Sequence, residues 1–207
     1  MTPLLHPCYF GSIAQYAIMS QHPNVIFEAH DNYQKQTYRN RMYIYGANGK
    51  QLLNIPVQHQ KGKKIQYTDV LISYVENWQK EHWKSLESAY RTSPFFEFYE
   101  DELAIIYKDK EERLMNFNLK CHQFLSDNLP LETQIKKSKD FKAYGDDNDF
   151  RYLVNAKQRT QGIFLPPYTQ VFSSKHGFIS NLSVLDLLFN EGPNAISYLE
   201  RSKIEGK

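Results

Sequence analysis

The 207-residue sequence contains only two cysteines, Cys8 and Cys121, and they form no Cys-x-x-Cys pair. Two cysteines are too few for a disulfide framework, and they lack the spacing of a zinc or dithiol redox site. We therefore interpret both as small, reduced, buried residues. The sequence also has no apolar run approaching the roughly 20 residues that span a bilayer, which argues against an integral membrane protein.

Several other patterns are missing. Residues 1–12 lack the basic region and long apolar stretch of a secretory signal, so we expect a cytoplasmic protein. No phosphate-binding glycine loop, nucleophile elbow or zinc-protease helix is present. The seven histidines do not have zinc-ligand spacing, and Asp146, Asp147 and Asp149 do not complete a calcium loop. The sequence predicts no metal site, and it identifies no cofactor.

Acidic residues are absent from residues 32–68, although the whole chain has 23 of them. The basic residues of that segment are Lys35, Arg39, Arg41, Lys50, Lys61, Lys63 and Lys64. Because the net charge of the chain is only +2, the remaining residues are net acidic. This distribution predicts a local site for an anionic small molecule that bears phosphate or carboxylate. Nucleic-acid binding is not expected, because no nucleic-acid motif accompanies the basic segment.

The composition, 41% hydrophobic and 14% aromatic, can supply the core of one domain. We predict a single α/β domain over residues 1–207. Its mixed or antiparallel sheet would come from the N-terminal third and be packed by central and C-terminal helices. Strands are predicted at residues 25–27, 42–45, 52–57 and 70–72. Asn48-Gly49 favours a tight reversal between the second and third of these, and Pro56 should lie near a strand end.

Helices are indicated where apolar residues recur at helical spacing. The predicted helical regions are residues 13–19, 78–90, 95–107, 114–125, 182–189 and 194–201. The fifth of these should open at Ser180 or Asn181 and end at Gly192-Pro193. Residues 136–162 are polar and have little periodicity, so they form either a functional loop, such as a lid, or a mobile one.

The densest group of candidate site residues follows the strand predicted at residues 25–27. Loops that leave strand ends are where α/β sheets place ligands. Lys and Arg suit phosphate or carboxylate, whereas Asn and Gln orient hydroxyls or amides. The candidate binding residues here are Asn32, Lys35, Gln36, Arg39, Asn40 and Arg41, with His30 as a candidate for proton transfer. A solvated basic turn is the alternative interpretation.

Two further groups are candidates. His6, Tyr9 and Gly11 precede a helix whose N-terminal amides could receive an anion, although Tyr9 could equally be a packing residue. Trp78, His82 and Arg91 lie in or beside the second predicted helix, where helical spacing favours core packing. His82 would be a second proton-transfer residue if it were exposed near Arg39 or Arg41. A buried neutral histidine would instead need a hydrogen-bond partner.

Several segments together resemble the WbqC-like family of bacterial proteins. They include Pro7-Cys8-Tyr9-Phe10, residues 28–33 and 35–41, Ala47-Asn48-Gly49-Lys50, and residues 55–57, 77–80, 82–83, 87–91, 93–96, 168–172, 176–178 and 182–192. The start of the chain differs from many relatives, which have Gln-Pro followed by a Tyr-Phe-Pro-type turn. This chain has His6-Pro7, and Gly11 stands in place of the second proline. The resemblance implies a bacterial cytoplasmic protein that is often connected with surface polysaccharide such as O-antigen. It implies no particular reaction.

Three functions are therefore considered. The first is a small enzyme that modifies a nucleotide-sugar or other anionic precursor, and a transferase acting on an activated sugar is one enzyme of this type. The second is a nucleotidyltransferase-like enzyme, suggested only by the order of aromatic turn, helix and strand. Residues 11–16 offer none of the histidines such enzymes place there. The third is a non-catalytic partner of a glycan assembly complex that uses exposed tyrosines. Convergence or scattering of Lys35, Arg39, Arg41 and His82 distinguishes the first from the third.

Overall fold

The computed structural model describes residues 2–58, 64–141, 143, 145, 148–156 and 162–204. The helices are α1 (Ile13–Ser20), α2 (Trp78–Tyr90), α3 (Phe96–Lys108), α4 (Leu114–Asn128), α5 (Ser173–His176), α6 (Val184–Glu191) and α7 (Ala195–Arg201). The strands are β1 (Leu4–Leu5), β2 (Asn24–Phe27), β3 (Arg41–Gly46), β4 (Gly49–Asn54), β5 (Gln134–Lys137), β6 (Ile163–Phe164) and β7 (Lys203–Ile204). One large apolar cluster draws on most of these elements. The predicted α/β class is confirmed.

The central sheet is parallel, with the strand order β1-β2-β5 and α1 connecting the first two strands. Leu5 pairs with Phe27, which in turn pairs with Lys137. A further parallel bridge joins Leu4 to Asp149 on the other side of β1. The carboxyl ends of these strands therefore lie along one edge, which is the edge where α/β sheets place ligands.

The sequence predicts that all strands of the sheet come from the N-terminal third of the chain. β5 lies outside that third. It reads Gln-Ile-Lys-Lys, and only Ile135 is half-buried. No apolar run marks this strand, because its backbone joins the sheet edge while most of its side chains face solvent. The neighbouring backbone bonds, from Gln134 N to Pro23 O and from Ser138 N to Phe27 O, are both 2.9 Å.

Residues 70–72, which were predicted as a strand, do not join a sheet. Leu71 and Ile72 make isolated bridges to Arg113 and Val57. The backbone of residues 70–72 is instead hydrogen-bonded to the segment where α4 begins. Ile72 N donates to Glu112 O and Leu114 N donates to Val70 O, each at 2.9 Å. The apolar run fills the core without forming a ladder.

The predicted hairpin is confirmed. β3 and β4 pair antiparallel from Arg41 opposite Asn54 to Gly46 opposite Gly49. Gly49 adopts φ +96°, a value that a residue with a Cβ reaches only with strain. Pro56 lies just beyond β4, where its missing N–H costs no ladder bond.

The helical spacing correctly predicts α1 to α4, but the start of α6 differs from the prediction. The residue that caps α6 is Ser183, whose Oγ accepts from Leu185 N at 3.4 Å. Asn181 instead takes the left-handed φ of +53° and accepts from Ala14 N at 3.0 Å. Its side chain therefore serves the first turn of α1.

A buried carboxylate connects α6 to its surroundings. Asp186 is fully buried and accepts from Tyr90 Oη at 2.8 Å and from Gln170 Nε2 at 2.9 Å, as well as from Tyr168 Oη. Burial raises the pKa of Asp186, against the effect of these three donors. Tyr90 also accepts a hydrogen bond from Tyr45 N. Asp186 and Tyr90 together therefore connect α6, α2, β3 and the loop before α5.

We expect Asp186→Ala to lower the free energy of unfolding by about 2–5 kcal/mol, because three buried donors lose their acceptor. Urea unfolding followed by circular dichroism measures the change. Asp101→Ala, at an exposed position of α3, is the control and should change stability by less than about 0.5 kcal/mol. Equal effects of the two substitutions would contradict the role given to Asp186.

Candidate functional site

Charged and polar side chains crowd the edge of the central sheet where β1, β2 and β5 end. Glu28, directly after β2, is fully buried. Its Oε1 accepts from His30 N and from Ser138 Oγ, each at 2.8 Å. Since Ser138 directly follows β5, this carboxylate fastens the ends of two neighbouring strands together.

Arg151 supplies the cation beside Glu28. It is 1% exposed, and its Nη1 lies 3.4 Å from Glu28 Oε2. Its Nε and Nη2 donate to the two oxygens of Asp149 at 2.8 and 2.7 Å. The polar segment at residues 136–162, a lid candidate, thus contains the end of β5 and a buried arginine bound at the sheet edge. Residues 142, 144, 146, 147 and 157–161 of that segment lie outside the described residues.

A second buried arginine lies close to the end of β1. Arg39 has no exposed surface; its Nη2 donates to Asp31 Oδ2 at 3.0 Å and contacts His6 Nε2 at 2.5 Å. Because a guanidinium only donates, His6 Nε2 is the acceptor and the imidazole is neutral. Burial lowers the pKa of His6 to about 4, which agrees with that neutral state. Arg39 holds the segment from Asp31 to Arg39 against the sheet and is not open to a ligand.

Four of the predicted binding residues line one cavity of about 290 Å³, namely Lys35, Gln36, Asn40 and Arg41. Tyr33 and residues 54–57 complete its lining, so the cavity lies between the loop after β2 and the start of the hairpin. Among the described residues, no carboxylate lies within 4.0 Å of the charged nitrogens of Lys35 or Arg41. Within that described part of the chain, their positive charge has no carboxylate partner. We refer to this space as the basic cavity.

The basic cavity also contains unpartnered polar atoms. Asn40 is 5% exposed, and its Nδ2 donates to Asn54 Oδ1 at 3.1 Å and to Ile55 O at 3.0 Å. These two bonds fix the amide so that Oδ1 is left as an acceptor, for which the described residues provide no donor. The buried Tyr33 hydroxyl lacks a partner as well. A buried polar atom without a partner costs free energy, which a suitable ligand group would recover.

The third group of candidates lies in the core and does not line the basic cavity. Tyr9 Oη is 2.9 Å from His82 Nδ1 and 2.6 Å from Tyr107 Oη. The Trp78 ring packs edge-on against His82 at 5.1 Å. Burial lowers the pKa of His82 to about 4, so this histidine is neutral and hydrogen-bonded in the core.

The remaining candidates are apart from the basic cavity. Arg91 is on the surface, where it donates to Glu100 at 2.7 and 2.8 Å and to Glu87 at 3.0 Å. Asn32 is exposed and forms a bridge with Gln66. His30 is half-buried, with Nε2 3.2 Å from Ser138 O. The basic segment therefore converges only in part, through Lys35 and Arg41 but not through Arg39.

Sequence reasoning missed Asn54 and Arg151. Asn54 could have been found, because a hairpin that turns at Gly46 and Gly49 places Asn54 opposite Arg41. For Arg151 we find no local signal, since it lies in a polar segment without periodicity. Among the described residues no group of three His, Cys, Asp or Glu side chains is arranged to hold a metal, and none of their helices is long and apolar enough to cross a membrane.

We expect Arg39→Ala to lower the free energy of unfolding by about 3–5 kcal/mol, because Asp31 becomes a buried charge without its cation. Arg113→Ala is the matched control. Arg113 Nη1 lies 3.1 Å from Asp69 Oδ1, close to the 3.0 Å between Arg39 and Asp31, but the Arg113–Asp69 pair is half exposed. The control should lose less than about 1 kcal/mol. Chemical denaturation of both variants makes the comparison, and similar losses would refute the positioning role of Arg39.

Stability should fall between pH 7 and pH 5.5. Burial lowers the pKa of His6, His82 and His122 to about 4, below the roughly 6.5 of an unfolded histidine. The unfolded chain therefore binds more protons in this range, and each histidine should remove about 1 kcal/mol of stability. Urea titrations at the two pH values measure the loss. His122→Gln should reduce it by about one third, and a loss unchanged by this substitution would contradict the assignment.

Comparison with known proteins identifies the family of the chain. The model of the WbqC-like protein family matches residues 6–163, which include the basic cavity and both buried arginines. The uncharacterized protein Rv1507c of Mycobacterium tuberculosis is 27% identical over 196 residues, covering 81% of this chain and 83% of that protein. No solved structure matches. The chain belongs to the WbqC-like protein family.

Proposed function

We propose that the basic cavity binds an anionic, hydroxyl-bearing small molecule, of the nucleotide-sugar type used to build bacterial surface polysaccharide. One observation carries the proposal: one cavity holds two cations and an amide oxygen for which the described residues supply neither carboxylate partners nor a donor. The connection of WbqC-like proteins with surface polysaccharide supports this choice of ligand class. Modification of that precursor, as by a transferase, is the function we infer for the protein.

The two kinds of group select for different parts of the ligand. The Arg41 guanidinium and the Lys35 ammonium favour phosphate oxygens. Asn40 Oδ1 only accepts, so it favours a hydroxyl or an N–H group. Inorganic phosphate satisfies the cations alone, and a neutral sugar satisfies the amide alone. A phosphorylated sugar satisfies both at once.

Of the two candidates for proton transfer, neither of which lines the basic cavity, His30 is the more accessible. It follows β2 at the sheet edge, is half-buried, and its backbone N–H is held by Glu28 at 2.8 Å. His82 is a weaker candidate, because it is 5% exposed and its Nδ1 is engaged with Tyr9. The proposed division of roles is that Lys35, Asn40 and Arg41 bind the ligand, and proton transfer is not assigned to a residue of the basic cavity.

The alternative of a non-catalytic partner has less support. It requires exposed tyrosines at an interface, whereas every described tyrosine is buried or half-buried. The nucleotidyltransferase-like alternative gains one observation, the parallel β1-α1-β2 unit with charged groups at its carboxyl edge. It predicts binding of ATP in addition to the sugar nucleotide.

Isothermal titration calorimetry with UDP-glucose, ATP, inorganic phosphate and glucose tests the proposal. UDP-glucose should bind more tightly than phosphate or glucose. Arg41→Ala should weaken that binding about tenfold or more, because hydrogen bonds to charged groups contribute roughly 1.5–3 kcal/mol. Arg201→Ala removes the same charge from the exposed end of α7 and should leave the affinity unchanged.

The outcomes separate the alternatives. Binding of UDP-glucose that is equally strong in the Arg41→Ala and Arg201→Ala variants would remove the basic cavity from the proposal. Absence of binding by any phosphate-bearing probe would overturn it altogether. Tight binding of ATP that is lost in Arg41→Ala would favour nucleotidyl transfer.

A further inference from the structure

A second cavity, of about 350 Å³, lies between the first turns of α2 and the C-terminal turns of α3. It shares no lining residue with the basic cavity. Its volume is within the range of roughly 300–1,000 Å³ that is typical of small-molecule sites. Nothing in the proposed function uses it.

The floor of this α2–α3 cavity is apolar. Trp83, Ala104 and Tyr107 line it, and Trp83 packs with its ring centroid 6.0 Å from that of Tyr107 and 6.2 Å from that of Phe96. Tyr107 is buried, and its hydroxyl is engaged with Tyr9, so it contributes mainly ring carbon. A ligand with many hydroxyls would lose its water here without gaining partners. The floor therefore fits an aromatic or aliphatic group.

The rim of the α2–α3 cavity is cationic. Lys80, Lys108 and Lys110 line it and are exposed. Within the described part of the chain no carboxylate lies within 4.0 Å of any of these three ammonium groups. The lining contains no Asp or Glu, and the backbone of the intervening Asp109 is fixed by Gln79 Nε2 at 2.7 Å.

We infer that the α2–α3 cavity is a binding site for a small amphipathic carboxylate, such as an arylalkyl acid. The apolar part would cover Trp83 and Ala104, and the carboxylate would lie among the three lysines. Charge complementarity selects an anion, and the apolar floor excludes a sugar phosphate. The inference does not depend on the function proposed for the basic cavity.

Calorimetric titration with phenylbutyrate tests the inference, with phenylbutanol as the neutral analogue of the same shape. Phenylbutyrate should bind saturably and at least about fivefold more tightly than phenylbutanol, because the lysines attract only the anion. Lys80→Ala/Lys108→Ala should remove most of that preference. Lys84→Ala/Lys203→Ala, a pair of exposed lysines outside the cavity, removes equal charge and should leave binding unchanged.

A substitution in the floor tests the location. Ala104→Trp should abolish phenylbutyrate binding, because the larger side chain fills the cavity. If Ala104→Trp does not fold, the two double-lysine variants still test the inference. No saturable binding to the wild-type protein would overturn the inference. So would equal affinities for acid and alcohol, or equal affinities in the two double-lysine variants. Binding of UDP-glucose to the basic cavity should be unaffected throughout, so failure of either proposal is recognised separately.

Discussion

The buried guanidinium of Arg39 is the constraint on which the geometry of the basic cavity depends. A charge removed from water needs partners nearby, and those partners come from two different strand ends. His6 follows β1 and Asp31 follows β2, so the contacts at 2.5 and 3.0 Å exist only when these strands are paired. The segment between Asp31 and Arg39 then has both ends fixed. That segment carries Lys35 to the cavity, so a buried residue that does not line the cavity determines where the cation of the proposed binding site lies.

The positive segment is divided between structure and binding. Arg39 is neutralised by Asp31, and Lys50 lies with its ammonium 4.2 Å from the centroid of the Tyr43 ring. Lys35 and Arg41 remain without carboxylate partners among the described residues. Arg151 similarly forms an ion pair with Glu28 at the sheet edge. The acids at the end of β2 are therefore matched by buried arginines, whereas Lys35 and Arg41 line the basic cavity.

Much of the fold could be predicted because it depends on local patterns. The hairpin follows from Asn48-Gly49, and the helices of the middle region follow from apolar spacing. β5 could not be predicted, because its place depends on backbone pairing and not on its side chains. The sequence also could not predict that Arg39 is buried while Arg41 lines the basic cavity. Two residues apart, they would share a face in an extended strand, but Asn40 N bonds to Thr37 O at 3.2 Å and the resulting turn separates them.

The hydrogen bond that Asn181 accepts from the first turn of α1 affects how the chain can fold. The acceptor for Ala14 N comes from 167 positions further along the sequence. The segment around Asn181 also pairs with α1's entry, because Ile13 N donates to Leu182 O at 3.0 Å. Contacts of such long sequence separation form late and slow the search for the native state. During synthesis, these two contacts to the first turn of α1 can therefore form only after the chain has been made as far as Asn181 and Leu182.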